Sequence, residues 1–268
     1  MKIVTSASEI DGGCTFVPTM GALHAGHASL FKLAKAKSDF VVASIFVNPL
    51  QFEDAQDLAN YPRTPDHDIE IAADSGVTHL WLPKEEEIYP SQVKKISAGE
   101  LGNVYEGANR SGHFDGVVTV VSRLFELLKP EAAFFGEKDF QQLALIRRMT
   151  LDEGLPIEII AAPTIREVSG LAMSSRNMRL NDQELATAAH ISRVLLDAQK
   201  TGRSLDLKQL ENRAQQGLNS IPDLKTEYCA LVKATDLEPV LNWPPEKTVL
   251  LVAAYVGGVR LIDNVIIE

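Results

Sequence analysis

Short apolar runs punctuate the first part of the chain. Residues 15–18, 40–47, 78–82, 132–135 and 157–161 are each too short for a helix and carry apolar side chains on both alternating faces, the pattern of strands buried on two sides. Between them, residues 28–37, 65–75, 117–128 and 140–153 space their apolar positions for helices. In the third of these, Val117, Val120, Val121, Leu124 and Leu128 share one face, and Lys129-Pro130 ends it. Strands alternating with helices predict a parallel sheet joined by right-handed crossovers.

The rhythm changes after about Ile165. Residues 182–200 and 205–220 predict two helices, the first capped by Asn181 or Asp182 and the second preceded by Gly202. Strands follow at 227–232, 249–256 and 260–267, with Gly257-Gly258 as the hairpin turn between the last two. The expectation is an α/β fold: a Rossmann-like parallel-sheet domain over residues 1–166, then a smaller α+β lid domain over 167–268.

Composition narrows the partners. The 268 residues, 45% of them hydrophobic, are enough for one sizeable core and a second, smaller one. A formal charge of -10, from 36 acidic against 26 basic residues, repels a phosphate backbone and argues against nucleic acid as a partner. Cys14 and Cys229 stand far apart and read as small buried hydrophobes, not as a disulfide or zinc site. The first thirteen residues include Glu9 and Asp11 and lack a signal peptide's apolar stretch, and no apolar run reaches bilayer length. A cytoplasmic protein without a membrane partner is expected.

Four segments carry candidate chemistry. Pro18-Thr19-Met20-Gly21-Ala22-Leu23-His24-Ala25-Gly26-His27 lies where the first predicted strand hands over to a helix, the place where open α/β sheets bind ligands. Gly21 and Gly26 let backbone approach a ligand, and a helix start offers N–H groups to phosphate. His24 and His27 could donate to phosphate oxygens and stabilise charge on a pentacoordinate phosphorus. Taken alone they could also be first-turn histidines, or a metal pair completed by a distant carboxylate. Ser44 to Phe52 ends the next strand with Asn48 and Gln51 beside Pro49, which by itself is also ordinary turn chemistry. In Gly136-Glu137-Lys138-Asp139-Phe140-Gln141-Gln142, Gly136 permits approach to a ribose, Asp139 can accept from its hydroxyls, Lys138 can offset phosphate charge, and Gln142, nearly a turn after Asp139, could hold a substrate. Met173-Ser174-Ser175-Arg176 sits in a loop that could close over a triphosphate, or could be a polar linker. Two further stretches are weaker: Asp66, His67 and Asp68 read as helix-start residues whose acids complement the dipole, and Arg110 to Gly116 as a helix-start loop or a pocket wall.

His24-Ala25-Gly26-His27 resembles the His-x-Gly-His signature of the nucleotidylyltransferase and class I aminoacyl-tRNA synthetase superfamily. The longer run from Pro18, together with Phe46-Val47-Asn48-Pro49-Leu50-Gln51-Phe52, Tyr61-Pro62-Arg63-Thr64, the 136–142 segment, 173–176 and Leu261-Ile262-Asp263-Asn264, is similar to the pantothenate synthetases. That resemblance implies an ATP-dependent condensation of pantoate with β-alanine through a pantoyl-adenylate, with magnesium as the ATP counter-ion and no dedicated metal cage. It implies His24, His27, Lys138 and Arg176 as the catalytic set. ATP would lie along Met20, Gly21, Ala22, Leu23, Ala25, Gly26, Gly136, Glu137, Asp139, Met173, Ser174 and Ser175, with adenine on the backbone at Ile165. Gln51 would contact pantoate and β-alanine, Gln142 would hold pantoate, and Asn48 and Tyr61 would lie in the same pocket. A homodimer is the family's expectation. Two other readings stand beside it: a nucleotidylyltransferase passing AMP or CMP to a phosphate, and a non-catalytic ATP-sensing module.

Overall fold

The computed structural model describes residues 1–52, 55–243 and 246–268. In chain order the elements are β1 (Lys2–Val4), β2 (Thr15–Thr19), α1 (Ala25–Lys37), β3 (Val41–Ile45), α2 (Ala55–Ala59), α3 (Pro65–Asp74), β4 (His79–Trp81), α4 (Glu85–Ile88), α5 (His113–Leu128), β5 (Ala132–Gly136), α6 (Phe140–Asp152), β6 (Glu158–Ala162), α7 (Asp182–Thr201), α8 (Leu207–Asn219), β7 (Leu224–Lys233), β8 (Thr248–Val256) and β9 (Val259–Ile267). The chain divides into two compact units, one of Met1–Glu137 and Leu145–Pro163, the other of Lys138–Ala144 and Thr164–Glu268.

The first unit holds a six-stranded sheet in the order β1-β4-β3-β2-β5-β6, parallel at every pairing. Its inner strands are mostly apolar because both faces are covered, whereas the edge strands β1 and β6 carry the exposed Lys2 and Glu158. Val17 and Phe134 join the cluster containing Phe31 and Ala34 of α1 and Ala72 of α3, while their neighbours Phe16 and Phe135 face the other way and each meet Phe125 of α5 edge-on at 6.4 Å. Strand β1 is absent from the expectation, since three residues pairing along an edge leave no legible pattern. From β2 the chain runs outward through β3 and β4 on one side, and β5 and β6 continue on the other. The reversal falls between β2 and β5, and parallel sheets hold ligands outside the carboxyl ends of the strands at such a switch point.

Two helices start earlier than their apolar pattern predicts. Helix α1 opens at Ala25 because His24 caps it, and α5 opens at His113, whose imidazole is buried.

The second unit packs α7 and α8 against a three-stranded antiparallel sheet, β7-β8-β9, through Leu195, Leu210, Leu218, Leu250 and Val252. Asn181 caps α7 reciprocally with Glu184, and Asp206 caps α8 with Gln209. Gly202 closes the end of α7, and α8 begins only after Asp206. Gly257 and Gly258, at φ 55° and 76°, make the predicted turn between β8 and β9.

Candidate active site

In the first unit, β2 ends in a turn that the fold itself demands. Gly21 has φ 82°, and a Cβ there would lie 2.9 Å from the Asp68 carboxylate and 3.0 Å from Ile45. This glycine therefore makes room for Asp68, a packing requirement that its sequence context does not reveal. Asp68 also departs from expectation: it does not serve merely as a helix-start acid. Buried at 2% exposure, its carboxylate accepts from the N–H groups of Ala22 (3.1 Å) and Leu23 (2.7 Å) and from the Thr64 hydroxyl (2.9 Å). It occupies the donors of Ala22 and Leu23 that a phosphate would otherwise use.

The clamp delivers His24 to the start of α1. His24 Nδ1 accepts from Gly26 N at 3.1 Å, and His27 Nδ1 accepts from His24 N at 3.3 Å, so the two rings form a reciprocal cap with centroids 4.2 Å apart. A backbone N–H can only donate, so each Nδ1 must be the acceptor and the proton of each neutral ring sits on Nε2. Both histidines thus present the same donor atom at the carboxyl end of β2, beside the switch point.

The loop after β3 is set from two directions. Asn48 is 1% exposed, and its Nδ2 donates to Gln51 Oε1 and to the Gly116 carbonyl, both at 3.1 Å. Its Oδ1 accepts from the Tyr89 hydroxyl at 2.6 Å and from Leu50 N at 3.2 Å. Gln51 Nε2 donates to the Met20 thioether at 2.8 Å. The first turn of α5 closes this loop from below: His113 Nδ1 donates to the Gln51 carbonyl at 2.8 Å. Gly116 packs so tightly on Leu50 that a Cβ would fall on the Leu50 carbonyl. The stretch read as either a helix-start loop or a pocket wall is therefore the buttress of the Asn48–Gln51 turn. Tyr61 stacks edge-on against Phe52 at 5.7 Å. At the end of β5, nothing lies within 4 Å of the position a Cβ would take at Gly136, and its φ is not positive, so neither packing among the described residues nor backbone strain requires a glycine there.

In the second unit, Lys138, Ser174, Arg176, Asn177 and Asp263 line one cleft. Lys138 Nζ lies 3.3 Å from Asp139, a partly exposed pair of small energetic weight. Ser174 caps the short turn Ser175–Arg179 by accepting from Arg176 N at 3.2 Å. Met173 N donates to the Ile165 carbonyl at 2.9 Å, and Arg166 bridges to Ala172, so 165–173 is a small hairpin. Its base is a bidentate pair, Arg166 to Asp263 at 2.6 and 3.0 Å, joined by Ser192. Asn264 Nδ2 donates to the Lys138 carbonyl at 2.9 Å, fixing the lysine's backbone to β9. Gln142 is half-buried on α6, next to the buried Gln141. Sequence reasoning assigns Asp263, Asn264 and Asp68 no task in the site. The available signal is confined to Asp263, an acid inside an otherwise largely apolar strand, which burial makes costly unless it is paired.

A family model described as pantoate-beta-alanine ligase matches residues 2–266. The chain belongs to the pantoate-beta-alanine ligase family. A pantothenate synthetase of Cytophaga hutchinsonii is 46% identical over 256 residues, covering 94% of this chain and 90% of that protein. The crystal structure of pantothenate synthetase from Thermus thermophilus superposes with a TM-score of 0.91 at 39% identity, covering 99% of both chains. The ligase from Francisella tularensis, solved in complex with beta-gamma ATP and beta-alanine, has a TM-score of 0.78 at 35% identity, over 99% of this chain and 97% of that one. Among the described residues of this ligase-family chain, no group of three or more His, Cys, Asp or Glu side chains is placed to hold a metal ion, and no helix is long and apolar enough to cross a membrane.

Proposed function

We propose that this chain condenses pantoate with β-alanine, driven by ATP, through a pantoyl-adenylate. The pantoate carboxylate attacks the α-phosphorus and pyrophosphate leaves. The β-alanine amine then attacks the acyl carbon, AMP departs with the bonding pair, and the amine gives up a proton to form the amide. No protein nucleophile is required, so the protein's part is positioning and charge stabilisation. The observation that carries this reading is the pair of imidazoles locked as Nε2–H donors at the switch point of a parallel sheet.

In this reading His24, His27, Lys138 and Arg176 stabilise charge on the phosphates. ATP runs along Met20 to His27, Gly136 to Asp139, Ile165 and Met173 to Arg176, with Ala22 and Leu23 contributing shape because Asp68 takes their N–H groups. Gly136 offers the clear space a ribose needs. Gln51, Gln142 and Tyr61 face pantoate, and Asn48 acts on Gln51. Magnesium enters with ATP as its counter-ion, two copies of the chain form a dimer, and the enzyme works in the cytoplasm.

The test incubates the protein with ATP, magnesium and pantoate, with and without β-alanine, and identifies the nucleotide released. AMP and pantothenate that require both acids support the reading, and a dinucleotide product would replace it with nucleotidyl transfer. Losing one such donor costs roughly a hundredfold or more in rate, so His27→Ala should fold normally and lose that much. A variant with wild-type turnover would remove His27 from the mechanism.

A further inference from the structure

Gln51 carries a carboxamide, which can meet a ligand either as donor or as acceptor. Which end faces outward is a question of specificity, and side-chain amide orientation is settled by its bonding partners. Here the partners trace back to backbone groups that have no choice. Leu50 N can only donate, so the Asn48 atom 3.2 Å from it is Oδ1. The Gly116 carbonyl can only accept, so the Asn48 atom 3.1 Å from it is Nδ2. Asn48 is thereby fixed at both ends, with 1% exposure and no room to exchange them with solvent. Its second Nδ2 proton points at Gln51, 3.1 Å away, and only an oxygen can receive it. The amide of Gln51 follows: Oε1 inward, Nε2 outward.

We propose that Asn48 and Tyr89 are positioning residues that lock the Gln51 carboxamide with its oxygen inward, so that Gln51 offers its substrate a hydrogen-bond donor and never an acceptor. This inference rests on the proposed pantoate-binding role of Gln51 and deepens it: the group recognised must be an oxygen acceptor, as carboxylate and hydroxyl oxygens are. Tyr89 completes the lock. Its hydroxyl donates to the second lone pair of Asn48 Oδ1 at 2.6 Å, so no solvent or ligand donor can pull that oxygen out of line. Burial, with Glu85 nearby, pushes the Tyr89 phenol well above its ordinary pKa, which keeps it a donor throughout the working range of pH. On the outer side, Gln51 Nε2 rests against the Met20 thioether, a weak acceptor. A substrate oxygen displaces it with little lost and a stronger bond gained.

Three variants and two readouts test this. In Asn48→Asp the Nδ2 donor becomes an oxygen, and Gln51 must turn its carboxamide over to donate inward. The Michaelis constant for pantoate should rise about tenfold or more, the equivalent of one hydrogen bond to a charged group, while that for ATP stays within about twofold. Because the new charge could itself repel pantoate, orientation is read separately. With labelled glutamine amides and methionine methyls, the wild-type protein should show a nuclear Overhauser contact between Gln51 Nε2–H and the Met20 methyl, and Asn48→Asp should lose it. Gln51→Glu keeps Asn48 but can donate nothing outward, and it should raise the pantoate constant at least as far as Gln51→Ala does. The lock is refuted if folded Asn48→Asp keeps both the methyl contact and the wild-type pantoate constant, or if Gln51→Glu binds pantoate as wild type does. A wild-type protein that released no AMP with pantoate and β-alanine would instead refute the proposed function, and the methyl contact would still report on the lock.

Discussion

Asp68→Asn isolates the clamp that shapes the turn after β2, because it keeps the side chain's outline and removes only its charge and one acceptor. In the parent, one oxygen takes Leu23 N and the Thr64 hydroxyl and the other takes Ala22 N. The carboxamide keeps the first oxygen and turns its NH2 group toward Ala22 N–H, donor against donor. One charge-assisted bond disappears, and two donors are left facing each other in a site 2% exposed. A hydrogen bond to a charged group is worth about 1.5 to 3 kcal/mol, and a stranded buried donor costs about 1 to 3 kcal/mol more. Partial relaxation brings the sum to about 2 to 4 kcal/mol, which for a chain of this length lowers Tm by roughly 5 to 15 °C. Thermal unfolding followed by far-UV circular dichroism measures it, and turnover of the surviving folded protein at low temperature measures the effect on His24. A variant that melts within about 2 °C of the parent and turns over normally would show that the turn holds its shape without the carboxylate.

Three other outcomes follow from the same structure. Gly116→Ala drives a methyl group onto the Leu50 carbonyl and within 2.8 Å of Gln51 N, so it should cost about 1 to 3 kcal/mol and raise the pantoate constant; unchanged kinetics would mean the loop is not supported there. Arg166→Met strands the Asp263 carboxylate at 4% side-chain exposure and should cost about 3 to 5 kcal/mol, whereas replacing both partners with apolar residues should recover most of the loss; urea denaturation of the single and double variants decides. Burial raises the Cys14 thiol to about 11 and the Cys229 thiol to about 12. The unfolded chain ionises both first, so this contribution is complete below about pH 8.5, the thiol's ordinary value, and fades as pH climbs toward the folded values. Native protein at pH 8 should resist a thiol reagent that labels the urea-unfolded chain rapidly, and equal labelling rates would contradict the burial.

Apolar runs long enough to be covered on both faces are legible in the sequence, and so is the placement of the 18–27 and 136–142 segments at the ends of β2 and β5, because hydrophobic period and glycine-rich strand ends are local properties. What escapes is relational. The His24–His27 cap cannot be seen in spacing alone, since a ring nitrogen accepting from backbone depends on the chain's path, and α1 therefore begins three residues before its apolar pattern does. The motif around Asn48 suggests a side chain facing a ligand, yet its amide bonds inside the protein to Gln51, Gly116, Leu50 and Tyr89, and only a fold that brings Tyr89 and Gly116 to it could reveal this. Asp263 looks like one polar residue in a β-rich tail, although its partner Arg166 lies 97 positions earlier in the chain. Pairings of that range are invisible to any window along the sequence.

The way the chain threads its two compact units has a practical corollary. Lys138–Ala144 belongs to the second unit, although the segments on either side of it belong to the first. No single cut can therefore release the carboxyl-terminal unit intact. A fragment beginning at Thr164 would retain Asn264 but leave its Nδ2 without the Lys138 carbonyl it holds, so dissecting this protein calls for grafted or permuted chains, and a simple truncation would be expected to yield a loosened remnant.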